Sequence, residues 1–214
     1  MEYNDLADLI KSRHSIRRWQ DKKVSEKLLL EAIELATWAP NGGNQQNWRF
    51  YIIVNKDIIN AIADAVQASA NEISSWEQPS TVISTTGRAA GFFRSAPAAI
   101  AVAASQYQSG VDRILEAREQ TNPRAKQIRQ WRNLADSRIQ SVSAAIAYLL
   151  LILHQRGLGT VWMTGPMQAK GEIEKILKVP AEMDIVAFIP VGYPDETPVI
   201  RGRRPVGEVT EIVR

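Results

Sequence analysis

Residues 138–155 constrain the fold of this chain more than any others. Ile139, Val142, Ala145, Ile146, Leu149, Leu150 and Leu153 recur between Arg138 and Gln155 at helical spacing, which predicts a helix with a broad apolar face. A face that wide has to be covered on more than one side, so the helix belongs at the centre of the molecule. Gly157 is placed to end it. The apolar run inside it, Ala144 to Leu153, falls short of the about 20 residues that a bilayer crossing needs. Ile185 to Val191 is the second constraint, because a nearly continuous apolar run reads as a strand covered on both faces.

Around these two, helical and extended patterns are interspersed. Leu6, Leu9 and Ile10 follow a possible cap at Asn4 or Asp5, and Leu29, Ala32, Ile33 and Ala36 predict a helix over 26–38 behind Ser25. Ile58, Ile62 and Val66 predict another, capped by Asp57, and Ile173, Ile176 and Leu177 a further one. Arg49 to Val54, Pro97 to Ala104 and Thr160 to Met163 read as strands, with a possible short one from Glu208 to Val213. Residues 71–95 carry Ser, Thr and Gly without a period and read as a long loop or lid. Residues 110–136 are highly charged and read as two helical pieces interrupted by Pro123. We expect one α+β domain over 1–214 with a sheet sandwiched by helices, 71–135 as a variable lid or excursion, and 193–214 as a C-terminal arm.

Composition narrows the chemistry. The chain has 214 residues and no cysteine, which excludes disulfides, thiolate metal sites and cysteine nucleophiles and fits a reducing compartment. No basic segment followed by an apolar run opens the sequence, so no signal peptide is expected and the protein is placed in the cytoplasm. A net charge of +3 is a weak signal, and neither a nucleic acid nor a membrane is expected as partner. There is no phosphate-binding glycine loop of the Walker type, no cluster of metal-ligating residues and no Ser-His-Asp order.

Three segments carry more. Ala39-Pro40-Asn41-Gly42-Gly43-Asn44-Gln45-Gln46-Asn47-Trp48 packs glycines and carboxamides into one loop. Its uncrowded backbone N–H groups and its mixed donors and acceptors suit a planar heterocycle. Arg13-His14-Ser15-Ile16-Arg17 places two guanidinium groups and a hydroxyl at alternate positions, an oxyanion grip if the segment is extended and otherwise a solvated basic loop. Arg201-Gly202-Arg203-Arg204-Pro205 adds a second basic cluster.

In this order the segments resemble the FMN-dependent nitroreductase family. The resemblance also takes in Gly157-Leu158-Gly159-Thr160, the turn at 163–166 and Pro190-Val191-Gly192-Tyr193-Pro194, so it covers nearly the whole chain. It implies a three-layer α/β/α sandwich with a mostly antiparallel or mixed central sheet, in an intertwined homodimer whose flavin lies at the interface. Arg13, His14, Ser15 and Arg17 would hold the phosphate, ribityl chain and pyrimidine edge. Pro40, Asn41 and Gly42 would lie against the ring, with Asn44 a further polar contact. Met163, Thr164 and Gly165 would meet the flavin from the other side, and Arg201 and Arg203 would close on the phosphate. The implied activity is an oxidoreductase in which NADH or NADPH reduces FMN, which then reduces an electron-poor acceptor such as a nitroaromatic or a quinone.

Departures from the family pattern are Asn47, where proline usually precedes the tryptophan, and Asn41, where serine is common. Residues 71–135 lie outside the pattern. Trp76, Phe92, Phe93, Arg94 and Trp131 are the candidates there for a substrate wall, against simple core packing or solvation. Trp48 and Trp162 read as core aromatics, and His154 as a capping or packing residue. Two rival functions remain: a specialised relative that dehalogenates, oxidises a heterocycle or consumes its flavin, and a non-enzymatic module that binds polyanions through the arginine clusters.

Overall fold

A computed structural model describes residues 3–76, 90–105, 109–199 and 202–214. The chain runs α1 (Tyr3–Ser12), α2 (Glu26–Ala36), β1 (Trp48–Ile53), α3 (Lys56–Ser75), β2 (Ala98–Ser105), α4 (Gly110–Arg118), α5 (Pro123–Ala135), α6 (Ser137–Gln155), β3 (Gly159–Thr160), α7 (Lys170–Leu177) and β4 (Met183–Gly192). The strands form one sheet in the order β1-β2-β4-β3, and every pairing between them is antiparallel. Ser15 adds a parallel bridge to Thr160 at the β3 edge.

The sheet divides two helical layers. Ala98, Ile100, Val102 and Ala104 of β2 face α2 and α6, in one cluster with Leu29, Ala32, Val142, Ile146, Leu149 and Leu153. Ala99, Ala101 and Ala103 face the other way, with Ile59, Ile62 and Val66 of α3 and Ile173 of α7. The alternation is what a pleated strand requires, and here both faces are apolar because both are covered. On β4, Ala187, Ile189 and Val191 belong to the first cluster, Ile185 and Phe188 to the second. The register shift between Val102 and Ala103 leaves Val186 as an extra residue, and this bulge lets Ile185 and Phe188, three apart, share a face.

This is the α/β/α sandwich that the sequence implied, with α6 buried as expected. Several boundaries move. α2 stops at Ala36. α3 is capped at Asn55, whose Oδ1 accepts from the Asp57 N–H at 2.8 Å, so Asp57 lies in the first turn. α3 also runs on to Ser75, because its pattern of buried residues is prolonged by exposed helix-compatible ones; residues 71–75 are therefore not loop. Residues 92–95 form a 3-10 turn, and 77–89 fall outside the described residues. β3 ends at Thr160, with Met163 rejoining β4 only as a single bridge to Phe188. No strand forms over 208–213, where the tail is irregular after a turn at Val206–Glu208. Trp162 is exposed at 37%, not core. Taken together, residues 123–155 are long and apolar enough to cross a membrane, but Asp136, at φ 35, splits them into α5 and α6, and the apolar side of α6 is the core of the first cluster.

Candidate functional site

The segment after α1 is laid along the sheet edge. The Ile16 N–H donates to the Thr160 carbonyl at 2.9 Å, and Ile16 is buried with Trp19, Ala96 and Val161, with Met163 and Phe92 against them. Burial of Ile16 sends its neighbours Ser15 and Arg17 to the opposite side of the extended segment. Glu196 fixes that direction: its carboxylate accepts from the backbone N–H groups of Arg17 and Arg18 and pairs with the Arg18 guanidinium at 3.4 Å. The Trp19 indole donates to the Gly159 carbonyl at 2.9 Å. Further along, the Gln20 N–H donates to the Tyr193 carbonyl at 3.0 Å.

Cations gather where α1 passes into this segment. His154, in the last turn of α6, lies with Nε2 3.0 Å from Ser12 Oγ. Burial, and then the charges of Arg13 and His14, hold the His154 imidazole below its ordinary pKa. Burial and then the nearby Arg203 lower that of Arg13. His14 Nε2 is buried without a hydrogen-bond partner. A half-buried guanidinium with a second arginine near it, next in sequence to an orphaned imidazole nitrogen, makes a site for an anion. Arg13, His14 and Arg203 are thus brought together from both ends of the chain. Arg201 lies outside the described residues.

Met163 exchanges two backbone hydrogen bonds with Phe188, each 3.0 Å, and so holds the turn that follows. Thr164 and Gly165 are exposed there, and a Cβ on Gly165 would meet nothing within 4 Å. Through the Ile16–Met163 packing, this open turn shares the edge that carries Ser15 and Arg17.

The carboxamide loop is elsewhere. Asn41 braces it from within: Oδ1 accepts from the Gln46 N–H at 2.9 Å and Nδ2 donates to the Ala39 carbonyl at 3.2 Å. Gly43, Asn44 and Gln46 all take positive φ, which the short turn requires. Pro40 is exposed. The Gly42 N–H donates to Ser141 Oγ at 3.2 Å, tying the loop to the first turns of α6. Asn47 is buried, its Nδ2 without a partner. Ser141 and His154 are 13 positions apart on α6, about 20 Å along the axis. Loop and cation cluster therefore sit toward opposite ends of the same helix.

The five candidates for a substrate wall are not gathered. Phe93 is fully buried, with its ring 4.8 Å from that of Phe188, and so offers no surface to a ligand. Arg94 pairs with Asp64 at 2.9 Å. Phe92 packs at the Ile16–Met163 cluster. Trp76 ends α3, more than half exposed, and Trp131 lies on α5 under the Arg124 guanidinium at 5.0 Å. Sequence reasoning missed Glu196, Trp19, Ser12 and Ser141. Their roles rest on contacts between residues distant in sequence, for which no local pattern exists.

Residues 10–193 match the nitroreductase family, and the chain belongs to it. It is 30% identical to the NADH dehydrogenase of Thermus thermophilus, over 92% of this chain and 90% of that protein. A BluB-like flavoprotein from Clostridium difficile superposes with a TM-score of 0.82 at 26% identity, covering 100% of both chains. An iodotyrosine deiodinase solved with FMN and 3-iodo-L-tyrosine superposes at 0.72 with 25% identity, covering 98% of this chain and 97% of that one.

Proposed function

We propose that this protein is an FMN-dependent oxidoreductase, reduced by NADH or NADPH and reoxidised by an electron-poor acceptor such as a nitroaromatic or a quinone. One observation carries the reading: a family member holds Arg13, His14 and Arg203 together on the edge that also bears the open turn at Met163–Gly165. The residues fit the cofactor. A phosphate dianion supplies negative charge opposite Arg13 and Arg203, and a ligand oxygen gives the buried His14 Nε2 its missing partner. When bound, FMN supplies the hydride and electron chemistry, so no protein nucleophile is required. Arg13 and Arg203 bind the phosphate, Ser15 and Arg17 reach along the ligand from the extended segment, and Thr164 and Gly165 present exposed backbone beside it. The nicotinamide donor is supported by the name of the Thermus relative.

The site is shared between two copies. The loop at Pro40, Asn41, Gly42 and Asn44, about 20 Å along α6 from the cation cluster, reaches a flavin only from a second subunit. Surfaces for that subunit are present: Leu6 and Ile10 on α1, Trp38 after α2, Tyr148 on α6. The tail from Gly202 is exposed throughout, including Val206, Val209 and Ile212. Apolar groups left in water at this density favour association.

Purified protein is expected to carry flavin absorption, or to regain it with FMN but not with riboflavin at equal concentration. Stopped-flow mixing then compares reduction by each nicotinamide, followed by a screen of acceptors. Protein that neither holds nor rebinds FMN sinks the proposal. The deiodinase likeness favours one variant of it, reductive dehalogenation of an aromatic substrate. A halogenated phenol that reoxidises the reduced protein faster than nitroaromatics or quinones would move the assignment there.

A further inference from the structure

We propose that His154 is a positioning residue of the anion grip, and that it takes up a proton from solvent when a phosphate dianion enters. The inference rests on the reading of Arg13 and Arg203 as the phosphate end of the site, and concerns a residue outside the segments that define the family pattern.

The chain has only two histidines, His14 and His154, and the fold brings both to one place. His154 reaches across from α6 to Ser12, the residue before Arg13, with Nε2 3.0 Å from the hydroxyl oxygen. It thus fixes the point where α1 ends and the grip begins. The same Ser12 hydroxyl lies 3.3 Å from the Leu9 carbonyl. It can therefore turn its proton to that carbonyl and accept from Nε2–H, or donate to an unprotonated Nε2. This contact survives either charge state, so charging the ring changes the local field without breaking the link to Ser12.

The surrounding charges decide which state is held. From the extended segment His154 faces Arg13 and His14, and Arg203 of the tail acts on Arg13. On α2 the nearby acid is Glu31, already shared between Lys27 at 3.9 Å and Arg156 at 3.8 Å. α1, packed on α6, carries Lys11 in its last turn and Asp5 and Asp8 before it, and β3, being Gly159 and Thr160, adds no titratable group. Burial first, then the charges of Arg13 and His14, disfavour the imidazolium in the empty protein. A dianion held by Arg13 offsets part of that field and so favours the imidazolium. Protonation makes both ring nitrogens donors, and Nε2–H then donates to Ser12 Oγ.

The sign of the linkage follows. A group whose pKa is lower in the empty than in the loaded protein binds a proton with the ligand, so binding tightens as pH falls between the two values. For one proton the limit is about tenfold per pH unit. The lower edge of this window lies below the unperturbed imidazole value of about 6.5.

The test is calorimetric titration of flavin-free protein with FMN near neutral pH, in two buffers of different ionisation enthalpy, which counts the protons taken up. The variant is His154→Gln, whose carboxamide keeps a hydrogen bond to Ser12 and does not titrate. Wild type is expected to take up more protons than His154→Gln, by as much as one, and its FMN affinity to rise more steeply toward pH 6. The titration of FMN's own phosphate is common to both proteins and cancels in the difference. Riboflavin, which lacks the phosphate, should show no difference between them. Equal proton uptake and parallel pH profiles would overturn the role of His154 while leaving the FMN reading intact; failure of wild type to bind FMN would overturn both. Should His154→Gln not fold, NMR titration of the two imidazoles in wild type, with and without FMN, decides the matter. A His154 pKa that does not rise on loading rejects the proposal.

Discussion

At the scale of single residues, the site depends on how closely the chain can approach itself. A Cβ built on Gly159 would lie 2.7 Å from the Cβ and Cγ1 of Ile16. These atoms stand near the backbone and cannot swing aside, so the segment carrying Ser15 and Arg17 must move. Gly159→Ala is expected to cost about 1–3 kcal/mol, as overpacking does, and to weaken FMN binding as well. Gly110→Ala is the control, because nothing lies within 4 Å of its Cβ. Urea unfolding with a flavin titration checks both, and equal behaviour of the two variants counts against the close approach. Residue identity made part of this legible. Arg13, Ser15 and Arg17 announced themselves by alternation, since an extended segment has a period of two. Glu196 did not, because a carboxylate that accepts from backbone N–H groups far away in sequence looks like any surface acid. The Asn41 carboxamide bonds at both ends to its own loop and so shapes the turn, a contact between residues of one loop that the residue type alone does not specify.

At the scale of elements, α4 and α5 form a hairpin packed mainly on itself. Ser109 and Asp112 make a capping box at the start of α4, and Asn122 with Pro123 starts α5, where proline costs nothing because the first N–H is unbonded anyway. Arg129 pairs with Glu116 and Glu119, and Arg132 pairs with Asp112 at 2.6 Å. Arg132 and the Ser109 hydroxyl hold the Asp112 carboxyl well below the usual carboxylate range. The hairpin buries little, Leu115 and Ala125 being its covered apolar residues, so these partly exposed pairs matter more than they would on a packed helix. Arg129→Ala is expected to leave global stability nearly unchanged, as loss of an exposed ion pair does, while amide exchange in α4 and α5 rises and that of β2 stays put. Exchange that rises equally in β2 would show the hairpin to be part of the core. The two helical pieces could be read from the charged sequence around Pro123. What they pack against could not, because a charged pattern specifies an exposed face and leaves its neighbours open.

At the scale of the whole molecule, the tail and the site are one question. Residues 202–214 are exposed along their length and yet bring Arg203 to Arg13. Deleting 202–214 is expected to weaken both self-association, measured by sedimentation, and FMN affinity. An unchanged mass and an unchanged affinity would remove the tail from both roles. The sequence by itself determined the layers. The broad apolar face of α6 and the apolar runs of β2 and β4 demand cover on both sides, and burial of nonpolar surface is a property that composition and period carry locally. It also carried the family, through motifs whose order survives in a single chain. Only the tertiary structure decided that His154 meets Ser12, that Glu196 braces Arg17, and that the loop at 39–47 stands at the far end of α6 from the cation cluster. Those facts depend on distance between residues remote in sequence, and distance is fixed by the packing of the whole chain rather than by the pattern within any part of it.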